Sequence, residues 1–171
     1  MEIMFARFLK RNKVIILMFG LSIIVSCGPK EYQTIPLENL DPKLKRTGNT
    51  AARDILISIN HEDGARYLLR KDYVTPMVHG RIMQNLEMYN ESYGMVAATI
   101  GKVSKYTLFQ VINRGIVKTM RYKLTTDSEY TEKVELMLDI NNTYGLADYY
   151  LYVTTVDGVL ERKNVLPRVI K

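Results

Sequence analysis

The thiol of Cys27 is the most reactive nucleophile in this sequence, and the chain contains no other cysteine. Near neutral pH a thiol is readily acylated or alkylated. One aliphatic, one branched and one small residue directly precede it: Ile24, Val25 and Ser26. Because a second cysteine is missing, an internal disulfide cannot form, so packing must hold the folded part together.

Residues 1–26 have the composition of a secretion signal. Met1–Lys13 is basic, and Val14–Val25 is an apolar run of 12 residues, shorter than the roughly 20 that a membrane-spanning helix needs. The end of this run resembles the lipobox of bacterial lipoproteins. The resemblance implies cleavage before Cys27 and acylation of its thiol and amine, which would anchor the chain in a membrane.

The residue after the cysteine bears on localisation. By resemblance to the sorting rule of enteric bacteria, Gly28 in place of aspartate points to the outer membrane. The alternative to a lipoprotein signal is a membrane-anchoring helix with an incidental cysteine. A domain anchored there would face either the periplasm or the exterior of the cell.

Acid–base catalysis has few candidate side chains in this sequence: Asp54, His61, Tyr67, Asp72, Tyr73 and His79. Asp54 falls in the predicted first turn of a helix, where a carboxylate is favoured whatever its function. His61 lies in a polar loop, and His79 lies off the apolar stripe of its helix. We therefore expect no dedicated acid–base pair. The consecutive side chains from His61 to Asp63 do not converge on one ion, so neither a metal nor a cofactor is predicted.

Tyrosine is unusually frequent, with 12 residues against four phenylalanines and no tryptophan. The simpler explanation is packing in the core and at its rim. The alternative is a pocket or interface with aromatic walls and hydroxyl tips, suited to an apolar or glycan ligand or to a partner protein. The residues proposed for it are Tyr67, Tyr89, Tyr93, Tyr122, Tyr150 and Tyr152.

The net charge of +6 does not indicate a nucleic-acid partner. Residues 1–26 hold four basic residues and one acidic residue, so half of the excess belongs to the signal. The remaining basic residues alternate with acidic ones, which is typical of a solvated surface.

The rest of the chain divides into a lipidated tether, 27–48, and one domain, 49–171. The tether is predicted from scattered prolines and the lack of periodicity. Apolar spacing and capping residues predict three helices: Asn49–Asn60, a short one from Asp63 to Leu69, and a long one from Thr75 to Gly94.

After Gly94 the apolar pattern changes to alternation, which predicts strands. They are Met95–Ile112 (one strand, or two broken near Gly101), Ile116–Thr125, a strand around 134–140, and Asp148–Thr155. One face of the second strand carries Ile116, Met120, Tyr122 and Leu124, and one face of the third carries Val134, Leu136, Leu138 and Ile140. In the last strand either Tyr150 and Tyr152, or Tyr149, Leu151 and Val153, face inward. The tail 159–171 adds an edge strand or hangs free.

This order predicts an α+β fold in which N-terminal helices pack inside a strongly bent antiparallel sheet of three to five strands. It resembles the cone-shaped fold of the superfamily of nuclear transport factor two and ketosteroid isomerase. We expect a lipid-anchored envelope protein with a non-enzymatic domain that binds a ligand or partner. A cone-fold isomerase, dehydratase or hydrolase, or a structural subunit of an envelope complex, is the alternative.

Overall fold

The computed structural model describes residues 32–156, and the α+β fold class with an antiparallel sheet is confirmed. The predicted signal peptide, the lipobox, Cys27 and the tail 159–171 lie outside the described residues. The elements in chain order are strand β1 (Gln33–Ile35), a 3-10 helix (Leu37–Asn39), α1 (Pro42–Asn60), a second 3-10 helix (Gly64–Arg70), α2 (Pro76–Gln84), α3 (Leu86–Ile100), β2 (Val103–Asn113), β3 (Val117–Thr126), β4 (Thr131–Asn141) and β5 (Leu146–Thr155).

The first long helix begins at Pro42, seven positions before the predicted start at Asn49. The Asp41 carboxylate caps it by accepting a 2.9 Å hydrogen bond from the backbone N–H of Lys43. Proline at the first helical position is preorganised for this conformation. Most of the segment predicted to be a tether, from Gln33 onward, therefore belongs to the folded domain, where Leu44 is buried.

The long helix predicted from Thr75 to Gly94 is two helices in the structure. Thr75 caps α2 as predicted, by accepting from the N–H of Val78. At Asn85 the backbone leaves the helical region (φ −132°), and its side chain donates to the carbonyl of Arg81 at 3.0 Å. The helix then restarts and continues past Gly94 to Gly101, where a φ of +65° ends it.

Residues 95–100, predicted to be a strand, thus complete α3. Their β-branched composition favours a strand, but Val96 and Ile100 continue the buried stripe of Tyr89 and Tyr93 at helical spacing. Burial of this stripe outweighs the small intrinsic preference for a strand.

The five strands pair antiparallel in the order β1-β2-β3-β4-β5, and the sheet is open. One face of the sheet is buried against the helices. The predicted alternation of β3 and β4 is confirmed. Ile116 is the exception, because it precedes β3 and is 77% exposed. In β5 the inward set is Tyr149, Leu151 and Val153.

Helix α1 lies close against the middle of the sheet. A Cβ atom at Gly48 would overlap the side chain of Met120 and lie 2.8 Å from the Tyr122 hydroxyl. That hydroxyl donates a 3.0 Å hydrogen bond to the side-chain oxygen of Asn49. In the described part of the chain, no helix is long and apolar enough to span a membrane.

Candidate binding groove

The structure does not bring the six proposed tyrosines together. Three are buried in the core, where α3 and β3 place them: Tyr89, Tyr93 and Tyr122. Tyr67 packs beside His61, with 4.8 Å between the ring centroids. Tyr150 and Tyr152 alternate with the inward residues of β5, so they lie on the opposite, outer face of the sheet.

The buried tyrosines include a hydrogen-bonded pair. The hydroxyls of Tyr93 and Tyr149 are 2.6 Å apart, and both residues are 2% exposed. Burial raises the pKa of Tyr93 to about 12. Both phenols therefore stay protonated near neutral pH, and the pair joins α3 to β5 out of reach of a ligand.

Asp54 lies in the middle of α1 and not in its first turn, because the helix begins at Pro42. Its carboxylate is 2% exposed and accepts hydrogen bonds from the Tyr73 hydroxyl at 2.9 Å and from Arg53 Nε at 3.3 Å. The ammonium of Lys71 lies 3.7 Å from it. Both carboxylate oxygens are thus occupied by donors.

The groups around Asp54 hold their protons firmly. Burial and then the hydrogen bond to Asp54 raise the pKa of Tyr73. The pKa of Lys71 is raised first by Tyr67, whose ring centroid lies 4.0 Å from the ammonium, and then, against the opposing effect of burial, by Asp54. This cluster therefore fixes the segment around Lys71 and Tyr73 to α1.

The remaining acid–base candidates are dispersed. Nδ1 of His61, the residue that follows α1, accepts from the backbone N–H of Asp63 at 3.0 Å. Asp72 and His79 are exposed. Within residues 32–156, no three side chains of the types that bind metals gather at one point.

A groove of about 450 Å³ lies between the C-terminal half of α1 and the start of β2. Its helical wall consists of residues on one side of α1, with His61 just beyond the helix: Arg53, Leu56, Ile57, Asn60 and His61. Its other wall consists of five consecutive residues: Lys102, Val103, Ser104, Lys105 and Tyr106. Lys102 precedes β2, a register shift between Val103 and Lys105 interrupts the alternation of the strand, and this part of β2 pairs on one side only, with β3.

The edge of β2 that borders the groove has no strand partner within the described residues. On this side β1 pairs with β2 only at Val111–Asn113, because Pro36 ends β1 after three residues. The remainder, Val103–Gln110, pairs with β3 alone. An unpaired edge of this kind presents backbone N–H and C=O groups that can bind another strand.

The charge of the groove is positive. Its lining includes Arg53, Lys102 and Lys105 but no carboxylate. Arg53 is paired with Asp54, whereas neither lysine has an ion-pair partner in the part of the chain that the structure describes. Two free ammonium groups therefore flank the open edge.

Smaller depressions, of about 200 and 350 Å³, lie on the outer face of the described part of the sheet. Tyr152 lines the smaller, and Glu135 lines both. Burial would raise the pKa of Glu135, but hydrogen bonds from Lys133 and Arg121, each 2.6 Å long, outweigh it and lower the pKa. Glu135 offsets part of the positive charge of Arg121 and Lys133, whereas the lining of the groove includes no carboxylate, so this face offers less to an anionic ligand than the groove does.

The groove was not predicted from the sequence. A signal in the sequence was the apolar Ile57, which lies beside the buried stripe of its helix and is 39% exposed. Comparisons of the chain with protein-family models, with curated proteins and with solved structures found no match.

Proposed function

We propose that this chain is a lipid-anchored protein of the cell envelope whose domain binds a partner in the groove between α1 and β2 without catalysing a reaction. The anchor rests on the lipobox-like sequence that ends in Cys27. Gly28 after the cysteine supports the outer membrane as its location. Acyl chains on Cys27 would hold the protein at the membrane, and the folded domain would begin only a few residues further on, at Gln33.

The observation that carries the binding function is that apolar side chains and an unpaired strand edge share one groove. Ile57 is exposed, Leu56 is partly buried, and both line it beside Tyr106. Proteins normally cover or blunt such an edge. The charged side chains of Arg53, Lys102 and Lys105 line the same groove.

The arrangement of titratable groups favours binding over chemistry. General acid–base catalysis needs a group within hydrogen-bond reach of the substrate, with a pKa near the working pH. The pair Asp54 and Tyr73 is the feature that favours the alternative, a cone-fold enzyme. Asp54, however, already accepts from Tyr73 and Arg53. Turnover of any substrate that Asp54→Asn abolishes in a folded protein would establish the enzyme instead.

We also propose that the sheet curls around α1 as in the cone-shaped superfamily that the element order resembles. Register shifts interrupt the pairing of β2 with β3 and of β4 with β5, two in each pair. Such irregularities bend strands and increase their twist. A curled sheet agrees with the burial of only one of its two faces.

Site-specific photocrosslinking in intact cells tests the binding function. A photoreactive amino acid replaces Ile57 in the groove and, as the matched control, Met83 on α2, which is exposed and lies outside the groove. We expect a discrete crosslinked product from position 57 and none from position 83. Equal labelling from both positions, or none from position 57, would contradict binding at this groove.

A further inference from the structure

We propose that the occupant of the groove is an extended acidic segment of a partner polypeptide, which adds to the sheet as a strand along the free edge of β2. This inference rests on the proposed function and specifies the chemistry of the partner. Three features of the groove support it: the match in length of its walls, the exposed backbone of its edge, and the sign and position of its charges.

The two walls of the groove match in length. From Arg53 to Asn60, α1 rises about 10.5 Å at about 1.5 Å per residue. From Val103 to Tyr106, β2 extends about 10 Å at about 3.3 Å per residue. A segment of about four residues in extended conformation would therefore contact both walls along their whole length.

The backbone of β2 supplies the hydrogen bonds for strand addition. In an antiparallel pair, alternate residues of a strand direct their N–H and C=O groups away from the neighbouring strand. Between Val103 and Gln110 no other described strand pairs with this edge, since β1 reaches only Val111, and two register shifts in this stretch interrupt the alternation. Peptides that add to a sheet edge obtain affinity from these main-chain bonds and specificity from alternate side chains.

The side chains around the edge indicate which residues the partner carries. The ring of Tyr106 lies 6.2 Å from that of Tyr122, so it points to the helical face of the sheet, where Leu56 and Ile57 also lie. Lys105 precedes Tyr106 in the strand and points to the other face. Alternate side chains of an added strand would thus meet apolar residues and lysine in turn, which favours apolar residues alternating with glutamate or aspartate.

An anionic lipid surface would also attract Lys102 and Lys105, but it would leave the backbone groups of β2 and the apolar wall of α1 without partners. A polypeptide strand satisfies all three. We therefore assign the groove to a polypeptide and treat lipid binding as an outcome that would overturn the assignment.

Fluorescence anisotropy with a labelled octapeptide of alternating valine and glutamate tests the proposal on the full chain in detergent. Charge reversal of both groove lysines, Lys102→Glu with Lys105→Glu, should weaken binding at least about tenfold, which corresponds to about 1.4 kcal/mol. Lys45→Glu is the matched control, because Lys45 is exposed on α1 outside the groove, and it should change the affinity by less than about twofold. A valine–lysine peptide should not bind.

Two N-methylated forms of the same peptide test the backbone contacts without altering the protein. Methyl groups on every second nitrogen block one edge of the peptide strand, and the two forms block opposite edges. We expect one form to lose binding and the other to retain it. Equal binding of both forms, no binding of the parent peptide, or tighter binding to phosphatidylglycerol vesicles than to the peptide would overturn strand addition.

The failure of this inference can be distinguished from the failure of the proposed function. If Ile57 crosslinks a partner in cells while the octapeptide does not bind, or binds without an edge preference, the groove is a binding site for a different kind of partner. If position 57 captures nothing more than position 83 does, the proposed function itself is refuted.

Discussion

Removal of one hydroxyl from the buried pair Tyr93 and Tyr149 should reduce the stability of the domain measurably. The two oxygens are 2.6 Å apart, and at 2% exposure water cannot replace a lost partner. A buried hydroxyl left without a partner costs about 1–3 kcal/mol. We therefore expect Tyr93→Phe to lower the free energy of unfolding by about that amount.

Each single substitution removes one partner of the pair. Tyr93→Phe leaves the Tyr149 hydroxyl without its partner, and Tyr149→Phe leaves the Tyr93 hydroxyl without it. The double variant loses the hydrogen bond but leaves no unpaired phenol at this position. Its loss of unfolding free energy should therefore be about 0.5–1.5 kcal/mol, well below the sum of the losses of the two single variants.

Urea unfolding followed by far-ultraviolet circular dichroism measures all four proteins of this cycle. Tyr130→Phe is the control, because Tyr130 is 76% exposed, and it should leave the unfolding midpoint unchanged. Strictly additive effects of the two single substitutions would show that the hydroxyls are not partners and would refute the reasoning.

Three further predictions concern the fold and the anchor. A chain that begins at Asn49 should unfold at a lower urea concentration than one that begins at Tyr32, because it lacks Leu40 and Leu44, whose burial contributes about 3–6 kcal/mol together; equal midpoints would show that 32–48 is dispensable. The lowered pKa of Glu135 means that its contribution to stability is present above the ordinary glutamate pKa of about 4.3 and is lost as the pH falls through the lower folded-state value. Glu135→Gln should therefore lower the melting temperature at pH 7, and the difference should shrink on acidification below about pH 4; a difference independent of pH would contradict this. Finally, Cys27→Ser should abolish metabolic labelling by a fatty-acid analogue, and label retained by this variant would refute the lipobox interpretation.

The alternation of β3 and β4 could be predicted from the sequence because a strand's side chains alternate strictly, so one apolar face identifies the buried side without knowledge of its neighbours. The start of α2 at Thr75-Pro76 could likewise be predicted, because helix capping depends only on residues within one turn. In β5 both faces carry tyrosine, and the alternation could not choose between them. Only packing against α3, including the bond from Tyr149 to Tyr93, decided it.

The candidate site could not be predicted from the sequence either, because it too depends on tertiary packing. Its walls, Arg53–Asn60 and 102–106, lie more than 40 positions apart in the sequence and meet only because α1 crosses the sheet beside β2. Asp54 acquired its partners in the same way, from Tyr73 and Lys71. The lipobox-like motif, in contrast, consists of consecutive residues, which a signal peptidase would bind in extended conformation. No tertiary contact is needed for this recognition, so the sequence alone predicts the anchor. The free edge of β2 exists because β1 ends at Pro36, a consequence that appears only once the register of the two strands is known.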